Sequence, residues 1–580
     1  MLSPLIDRKL VVTKLIKERC RLAERESERM QKSELVRDVQ KSVSRNNEIY
    51  QLFPPRKAWC GMMDVAARKK LDAAGRNAKR LYYTYRKAQK ANSQELWYVR
   101  LCAKADSIVR MVEKRDIMIG PPRVIPIEKD RKDSDCIVCR PVCSFPLEVK
   151  IIFSLLNRYL THLFDPYFLN CSYAFRKPGP DRERLQHLDA VKAIRDYRLN
   201  HLNETLYVAE CDMQKFYDTI DHRIVKQRFV HLLQRAKQEE RITSGLAKVV
   251  KRWFFLYLNC FDFPKHVLSL NKRPSSDMIW RNIKRRDKPC RIKWISQREI
   301  KKHHLLKCKQ GIGVPQGGPL SGIIANIMMH TVDQHVIGAK GDSDIFYGRF
   351  CDDMILIGTN KTQVNEVLSA YQRAVRKSSL FAHPDKTMSD KSPMRKFWEG
   401  KSRPTYQWAE RGENAYPWIT FVGFDINWCG DLRIRKSSFK KQIDKQHTVA
   451  NEILSPYLRG MQPRYCAETI KATLMAKLVG MSVGRVKLWN FQDHNNAHSW
   501  MSAYSLLESN RWSVSQLKEL DRHRQKVYHR VCKALDEIEC PPNKKGSSDE
   551  RHPRSDRFMH YGRPFSYYGQ CLLYKAKNDK

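Results

Sequence analysis

Apolar residues along the chain change their spacing near residue 121. From Leu10 to Ile16 they recur at helical spacing with charged residues between them, which predicts amphipathic helices in the first hundred residues. Beyond Pro122, residues 124–127 and 137–142 form short apolar runs on either side of a charged segment. This alternation predicts two β-strands joined by a polar turn.

Further strand and helix patterns follow in the middle of the chain. Residues 206–212 predict a buried strand, and residues 344–358 predict a second hairpin. Between them, apolar positions from Ile323 to Val332 share one face of a helix that begins near Ser321. Strands that alternate with helices inside a largely helical chain predict an α+β or α/β core.

The charge of the chain points to a polyanionic partner. Its 580 residues include 108 Lys and Arg against 62 Asp and Glu, a formal net charge of +46. Such a charge favours nucleic acid as the partner, with an anionic membrane surface as the second candidate. No run of about 18 apolar residues is present, and the charged N-terminal segment is unlike a signal peptide. We therefore expect a cytoplasmic protein with no membrane partner.

Two segments carry a concentrated positive charge. Residues 51–100 contain 12 Lys and Arg against 3 Asp and Glu, interleaved with aromatic residues. This mixture is typical of a surface that follows a nucleic-acid backbone and stacks bases, and equally of the solvated face of a helical bundle. Residues 271–310 contain 14 Lys and Arg against 3 Asp and Glu. Both segments are candidates for binding nucleic acid.

The cysteines favour a reducing compartment. They number 17 and are scattered through a long chain, which argues against a disulfide framework. Cys136, Cys139 and Cys143 have a spacing that a zinc or iron–sulfur site could use, but no fourth ligand follows at a familiar distance. We interpret them as small apolar residues on a strand.

Three aspartates are candidate metal ligands. Asp212 ends the apolar strand pattern of residues 206–212, and Asp352 with Asp353 lies in the turn of the hairpin at 344–358. Carboxylates at neighbouring strand ends are suited to hold two Mg²⁺ ions, which prefer a few carboxylates together with substrate phosphate oxygens. Because adjacent strand residues point to opposite faces, Asp352 and Asp353 need not both be ligands.

These aspartates belong to an ordered series of motifs. The chain carries RVIPIEK at 123–129, Arg140 before a proline, SYAFR at 172–176, DMQKFYDTIDH at 212–222, GVPQGGPLS at 313–321, FCDD at 350–353, HPDKT at 383–387 and FVGFDI at 421–426. The series resembles the reverse transcriptases of bacteria, which include group II intron proteins, retrons and the defence-associated "unknown group" enzymes. It covers roughly residues 115–440.

The resemblance implies an α+β fold of the right-hand polymerase type, with an antiparallel palm sheet. It implies a basic helical extension, fingers, a palm with a basic insertion at about 235–310, and a helical thumb. The implied bounds of these four parts are 1–115, 116–205, 206–435 and 436–580.

The resemblance also implies roles for individual residues. Asp212, Asp352 and Asp353 are the implied metal ligands for two Mg²⁺ ions, with Mn²⁺ as a substitute, and Lys386 is the implied general acid. The implied nucleotide-binding residues are Lys129, Arg140, Tyr217, Gln316 and Gly317. Tyr217 is placed against the 2′ position of the sugar, which implies a preference for deoxynucleotides. The implied primer- or RNA-binding residues are Phe421, Gly423, Arg433, Arg435, Arg285 and Arg286.

The chain departs from the family in two places. The turn that is commonly YADD reads FCDD here, so that Phe350 lacks a hydroxyl and Cys351 replaces a smaller alanine. The metal carboxylates are retained, so activity is still expected. The distance from Asp212 to the GVPQGG motif is longer than in compact members, and the extra length coincides with the basic segment 271–310.

The activity implied is an RNA-directed DNA polymerase that uses deoxynucleotides and a structured non-coding RNA template and yields DNA. The short aromatic segment 563–569 is similar to segments of diversity-generating and defence-associated reverse transcriptases. Together with the basic N-terminal helices, this resemblance implies a role in antiviral defence in a bacterium. Two alternatives stay open: a maturase-like RNA-binding scaffold, and protein-primed or template-independent DNA synthesis. A homo-oligomer or a co-encoded partner protein is also left open.

Overall fold

The computed structural model describes most of the chain. The described residues are 4–33, 35, 48–61, 73–130, 135–177, 187–283, 288–296, 298, 300, 311–384, 401–412, 415–483, 507, 510–538 and 540. Within these residues the chain forms a mixed helix and sheet structure, which confirms the predicted combination of the two element types.

The α-helices of the described residues are spread over the whole chain. They are α1 Arg8–Ser33, α2 Ala73–Lys90, α3 Leu96–Glu113, α4 Leu147–Phe164, α5 His187–Asn200, α6 Phe216–Thr219, α7 His222–Gln238, α8 Ser244–Asn259, α9 Phe263–His266, α10 Ser321–Lys340, α11 Lys361–Lys377, α12 Lys436–Leu458, α13 Ala467–Val483 and α14 Arg511–Asp536. Short 3₁₀ helices lie at Glu48–Tyr50, Arg56–Ala58, Asp165–Tyr167, Leu268–Lys272 and Met278–Trp280.

The strands form three sheets. They are β1 Arg123–Asp130, β2 Ile137–Ser144, β3 Leu206–Cys211, β4 Cys290–Arg291, β5 Ile345–Phe350, β6 Asp353–Gly358, β7 Arg403–Trp408, β8 Ala415–Tyr416, β9 Trp418–Phe421, β10 Phe424–Asn427 and β11 Leu432–Ile434. The strands predicted at 124–127, 137–142 and 206–212, and the hairpin at 344–358, are confirmed.

The chain divides into two compact units. The first comprises residues 1–12 and 103–417, and the second comprises residues 13–102 and 418–580. The two units are therefore described separately. The four-part domain boundaries expected from the resemblance stay a prediction.

A five-stranded sheet is the centre of the first unit. Its order is β5-β6-β3-β7-β8, with all pairs antiparallel except β7 and β8. The strands β3 and β6 are almost wholly buried, with continuous apolar runs; helix α11 packs against both, and helix α10 packs against α11. Behind the end of β3, Glu210 pairs with Arg403 of β7 and accepts a hydrogen bond from Tyr406 (2.6 Å). This buried charge pair fixes the register of β3 against β7.

A second buried network supports the turn between β5 and β6. Arg349 and Asp333 are each 1% exposed, and the guanidinium donates two hydrogen bonds to the carboxylate, at 2.8 and 2.7 Å. The same guanidinium donates to the backbone carbonyl of Cys351 (2.8 Å) and to Ser172 Oγ (2.9 Å). Cys351 has a left-handed backbone, with φ of 63°, which is uncommon for a residue with a side chain. Arg349 therefore anchors a strained turn to the helix α10 that carries Asp333.

The third strand of the other sheet in this unit comes from the basic segment 271–310. The sheet order is β1-β2-β4, with β1 antiparallel to β2 and β4 parallel to it. Ile137 N donates to Pro289 O (2.8 Å), so this segment pairs with one end of the β2 edge. At the other end, Cys143 N donates to Gln316 O (2.8 Å). Cys139 and Cys143 are buried on β2, as the strand interpretation predicted.

The second unit contains a three-stranded antiparallel sheet, in the order β11-β10-β9, and several helices. Helices α12, α13 and α14 bury an apolar core, whose members include Ile453, Leu474 and Val531. Gln516 of α14 bonds both the amide and the carbonyl of Ile434, at 2.8 Å each, and so ties this helix to the sheet.

Within the described residues, every helix is too short or too polar to cross a membrane. The aromatic segment 563–569 lies outside the described residues.

Candidate active site

One cavity of about 880 Å³ in the first unit gathers the residues that the sequence motifs singled out. It opens between the ends of β3 and β6, strands β1 and β2, and the segment that precedes α10. Eight predicted metal- and nucleotide-binding residues line it: Lys129, Arg140, Asp212, Tyr217, Gln316, Gly317, Asp352 and Asp353. They come from five different motifs, so their convergence depends on the folded topology.

Sheet register explains why the three aspartates meet. Cys211 is paired with Met354 across β3 and β6, so Asp212 and Asp353, the next residues outward, lie at the same end of the sheet. Phe350 is paired with Asp353 in the hairpin, which leaves Cys351 and Asp352 in the turn itself. Asp352 is largely buried and Asp353 is exposed.

Two positively charged or titratable side chains contact Asp212. Lys401 Nζ lies 2.8 Å from Asp212 Oδ2 and His383 Nε2 lies 3.8 Å from the same oxygen. Lys401 stands two residues before β7, and the pairing of β7 with β3 brings it to the carboxylate. The His383 backbone also donates to the Asp212 carbonyl (2.8 Å), which fixes the chain at the end of β3.

The aspartates have the chemistry of a divalent-cation site. Burial raises the pKa of Asp352, and the negative charge of Asp212 raises it further. Two carboxylates that disfavour each other's ionisation are stabilised by a cation between them. Among the described residues, no group of three or more His, Cys, Asp and Glu side chains surrounds a metal position. A few carboxylates completed by substrate oxygens are nevertheless the usual protein contribution to Mg²⁺ sites, so these residues fit the ions.

Tyr217 contacts Cys351, the residue that replaces alanine of the common turn sequence. Its hydroxyl lies 3.1 Å from the Cys351 thiol, and either group can donate. Burial raises the pKa of the Cys351 thiol to about 12, so the sulfur stays protonated near neutral pH. Phe216 packs edge-on against the Tyr217 ring, with ring centroids 5.2 Å apart. The cysteine thus fixes the ring that the resemblance places beside the sugar.

Gln316 is oriented by a buried carboxylate. Its Nε2 donates to Asp218 Oδ1 at 2.6 Å, and Asp218 is only 1% exposed. Burial raises the pKa of Asp218 to about 6, although the hydrogen bond and the nearby cations oppose the shift. Gly317, with φ of +78°, has a left-handed backbone that suits glycine.

The opposite wall of the cavity is cationic. Lys129 and Arg140 lie on β1 and β2, in the sheet that also contacts Gln316. Burial lowers the pKa of Lys129, and the neighbouring charges of Lys401 and Arg140 lower it further. Clustered cations at the mouth of a cavity whose other side is acidic are suited to a phosphate chain together with metal ions.

The predicted primer-binding residues lie in the second unit. Phe421 and Gly423 flank the turn between β9 and β10, and Gly423 has φ of +94°. The FVGFDI motif at 421–426 therefore lies in a hairpin of β9 and β10. The Arg433 guanidinium lies 3.8 Å from the Trp418 ring centroid and forms an ion pair with Asp425 (3.0 Å). Arg435 is exposed at the start of α12, and its amide donates to Gly423 O (3.0 Å).

Three predicted residues cannot be placed. Lys386, Arg285 and Arg286 lie outside the described residues. Their assigned roles stay predictions.

Sequence reasoning missed three residues of the cavity. Asp218 and Lys215 stand inside the DMQKFYDTIDH motif, but nothing in that pattern identifies the partner of Asp218, which lies 98 residues further along the chain. Lys401 stands outside every motif, and it reaches Asp212 only through strand pairing.

Comparisons with known proteins agree with the motifs. A family model described as reverse transcriptase (RNA-dependent DNA polymerase) matches residues 264–396, less than a quarter of the chain, including Gln316, Asp352 and Asp353. On this match the chain is an enzyme, an RNA-directed DNA polymerase, as the motifs predicted. No curated protein matches the chain.

Solved telomerase structures are similar to parts of the chain. An apo telomerase from Candida tropicalis, truncated from its C-terminal domain, has 14% identity and a TM-score of 0.34, covering 62% of this chain and 69% of that one. A telomerase from the same organism, in complex with a fragment of telomeric RNA, has 13% identity and a TM-score of 0.34, with coverage of 81% and 75%. One from Candida albicans has 13% identity and a TM-score of 0.30, with coverage of 76% and 64%.

Proposed function

We propose that the chain copies an RNA template into DNA by a two-metal mechanism at the cavity between β3, β6 and the β1-β2 sheet. The observation that carries this proposal is the convergence of eight motif residues on one cavity of about 880 Å³. Its acidic end is suited to divalent ions and its cationic wall to a triphosphate.

Each part of the cavity has a separate task in this proposal. Asp212 and Asp352 would hold two Mg²⁺ ions, which when bound lower the pKa of the primer hydroxyl and stabilise the charge on the departing pyrophosphate. Lys129 and Arg140 bind and orient the triphosphate. Lys401 neutralises Asp212 before the ions bind, because its ammonium lies 2.8 Å from the carboxylate.

Selection of the nucleotide is assigned to the middle of the cavity. The Tyr217 ring, fixed by the Cys351 thiol, excludes a 2′-hydroxyl by its bulk. Gln316, fixed by Asp218, presents its amide to the incoming nucleotide or the templating base. Both residues are oriented before substrate arrives, which lowers the cost of binding.

The proposal assigns the parts of a right-hand polymerase to individual sheets and helices. In the proposal, the β1-β2-β4 sheet belongs to the fingers, the five-stranded sheet to the palm, and the helices from α12 onward to the thumb. The hairpin of β9 and β10 is the proposed primer support.

The proposed biological role is antiviral defence in the cytoplasm of a bacterium, with a dedicated structured RNA. It is supported by the resemblance of the motif series to bacterial enzymes and by the excess positive charge at 51–100 and 271–310. Phosphate and shape contacts are the expected mode of binding such an RNA.

The polymerase proposal is tested by primer extension. Purified chain is incubated with an RNA template, a DNA primer, Mg²⁺ and deoxynucleotides, and compared with Asp352→Asn and with the matched control Asp342→Asn, an exposed aspartate at the start of the same hairpin. We expect extension to fall by at least a thousandfold in Asp352→Asn only. Undiminished extension in that variant would reject the two-metal assignment.

The defence proposal needs a test in cells. Phage plating on a bacterium that carries the chain with its own RNA should be reduced, and Asp352→Asn should remove the protection. Protection that persists in this variant would favour the scaffold alternative, and DNA that stays attached to denatured protein would favour protein priming.

A further inference from the structure

A second groove in the first unit, of about 770 Å³, has a strongly basic lining and shares no residue with the active-site cavity. It lies between α7 and α10, with contributions from α8 and the end of α11. Four cations line it: Lys226, Arg228, Arg235 and Lys377. The imidazole of His330 lines it as well. Among the described residues that line it, none is Asp or Glu.

The centre of the groove contains a cation without a carboxylate. Arg228 donates from Nη1 to the Met328 carbonyl and from Nη2 to Ser378 Oγ (2.6 Å). Both acceptors are neutral, and burial lowers the pKa of the guanidinium to about 10. Arg228 is partly buried, and a charge that is withdrawn from water is costly unless an opposite charge accompanies it. An anionic ligand in the groove would supply that charge.

A buried imidazole provides an independent sign of a ligand. His330 is 6% exposed and lines the groove, and its Nδ1 has no hydrogen-bond partner among the described residues. A buried polar atom without a partner is uncommon in folded proteins and needs an explanation. If the ring turned this nitrogen toward the groove, a neutral imidazole could donate one hydrogen bond from it to a phosphate oxygen, which would satisfy the atom.

The charges extend beyond the reach of one phosphate group. Lys226 and Arg235 stand nine residues apart on α7, which separates them by about 14 Å along the helix axis. Lys377 reaches the groove from the end of α11. Arg235 also pairs with Glu239 (2.9 Å) at the exposed end of α7, so its charge is partly compensated there. Cations spread over this length of the groove match successive phosphates of a strand better than a single ion.

We propose that this groove binds the phosphate backbone of a nucleic-acid strand, outside the active site. The proposal concerns binding alone and holds whether or not the chain polymerises DNA. It adds a third surface to the two basic segments predicted from the sequence, and it lies on helices that are buried in the first unit on their other side.

The test compares two charge-reversal variants of the full chain. Lys226→Glu/Lys377→Glu alters the groove, whereas Lys248→Glu/Lys361→Glu changes exposed lysines that do not line it and alters the net charge by the same amount. The probe is a fluorescein-labelled single-stranded RNA of 20 nucleotides at several salt concentrations. We expect the groove variant to bind about tenfold more weakly than the control, with a salt slope smaller by about 1.4, the value for two lost phosphate contacts.

Two further measurements keep the result unambiguous. Extension of a short primer–template at saturating concentration should be equal in both double variants. Lys377→Glu alone changes one exposed residue and should weaken RNA binding less than the double groove variant does. Equal RNA affinity and equal salt slope in the two double variants would overturn the proposal. Alternatively, inorganic phosphate stabilises the wild type and not the groove variant, while the two double variants bind RNA equally. That result would indicate a site for a small anion and would reject the nucleic-acid strand.

Discussion

Removal of the Arg349 guanidinium should both destabilise the first unit and misplace the catalytic turn. The guanidinium makes two hydrogen bonds to Asp333, one to Ser172 and one to the Cys351 carbonyl, and both charged partners are 1% exposed. In Arg349→Met the carboxylate stays buried without its partner, which typically costs about 3–5 kcal/mol. If the free energy of unfolding falls by about 3 kcal/mol per molar urea, this loss lowers the midpoint of urea unfolding by about 1–2 M.

A second variant separates stability from the position of the turn. Arg349→Met/Asp333→Leu/Tyr347→Phe also removes the buried carboxylate and the hydroxyl that donates to it (2.8 Å). Apolar replacement of a complete buried network is often neutral or stabilising, so this triple variant should regain most of the lost stability. Its activity should stay about tenfold to a hundredfold low, because the carbonyl of Cys351 has lost its anchor and small displacements of reacting groups are costly.

The assays are urea unfolding followed by tryptophan fluorescence, and primer extension at saturating nucleotide. A loss below about 1 kcal/mol in Arg349→Met would refute the assignment of a buried, carboxylate-balancing charge. Full activity in the triple variant would refute the role of Arg349 in holding the turn.

Three further predictions concern the cavity. Cys351→Ala removes the thiol that contacts Tyr217, so the ratio of kcat/KM for deoxynucleotide over ribonucleotide should fall severalfold, as measured by single-nucleotide extension. The wild type should lose stability as the pH rises from about 4 to about 6, and Asp218→Asn should not. Urea unfolding without metal or nucleotide would detect the difference. Lys401→Gln removes the ammonium beside Asp212, so the Mg²⁺ concentration for half-maximal extension should fall. The expected fall is up to about fivefold, because an exposed ion pair is worth about 0.2–1 kcal/mol.

The sign of the pH effect follows from the buried state of Asp218. Its pKa rises from 3.8 to about 6 on folding, so the folded state holds the proton more tightly and loses stability as the pH rises through this window. The full effect is about 3 kcal/mol, and it is complete above pH 6. An equal pH dependence in wild type and Asp218→Asn would contradict this assignment.

The other two predictions have conservative controls. Cys351→Ser keeps a hydroxyl near Tyr217 and should retain the discrimination that Cys351→Ala loses, so equal discrimination in all three proteins would exclude the thiol contact as its cause. Lys401→Arg keeps the positive charge and should leave the Mg²⁺ requirement near the wild-type value. An unchanged requirement in Lys401→Gln would show that the ion pair does not compete with the metal.

The sequence predicted those features that depend on local pattern and motif. The strands, the two hairpins and the residues of the ordered motifs could be identified, because apolar period and turn composition are local properties. The partners of these residues could not. Asp218 meets Gln316, and Lys401 meets Asp212, across 98 and 189 residues respectively. Only the pairing of strands and the packing of loops on them decide such contacts, and apolar periodicity carries no information about either.

The basic segment 271–310 also covers part of a sheet edge, which bears on the solubility of the protein. Edge strands with free amide and carbonyl groups can pair with other chains, and β2 is otherwise apolar along much of its length. Here β4 of the insertion covers one end of that edge and the Gln316 carbonyl covers the other. A deletion of residues 271–310 would uncover the first end and invite self-association, whereas replacement of its lysines and arginines by glutamine would leave the covering strand in place. The segment thus shields an aggregation-prone edge as well as carrying charge.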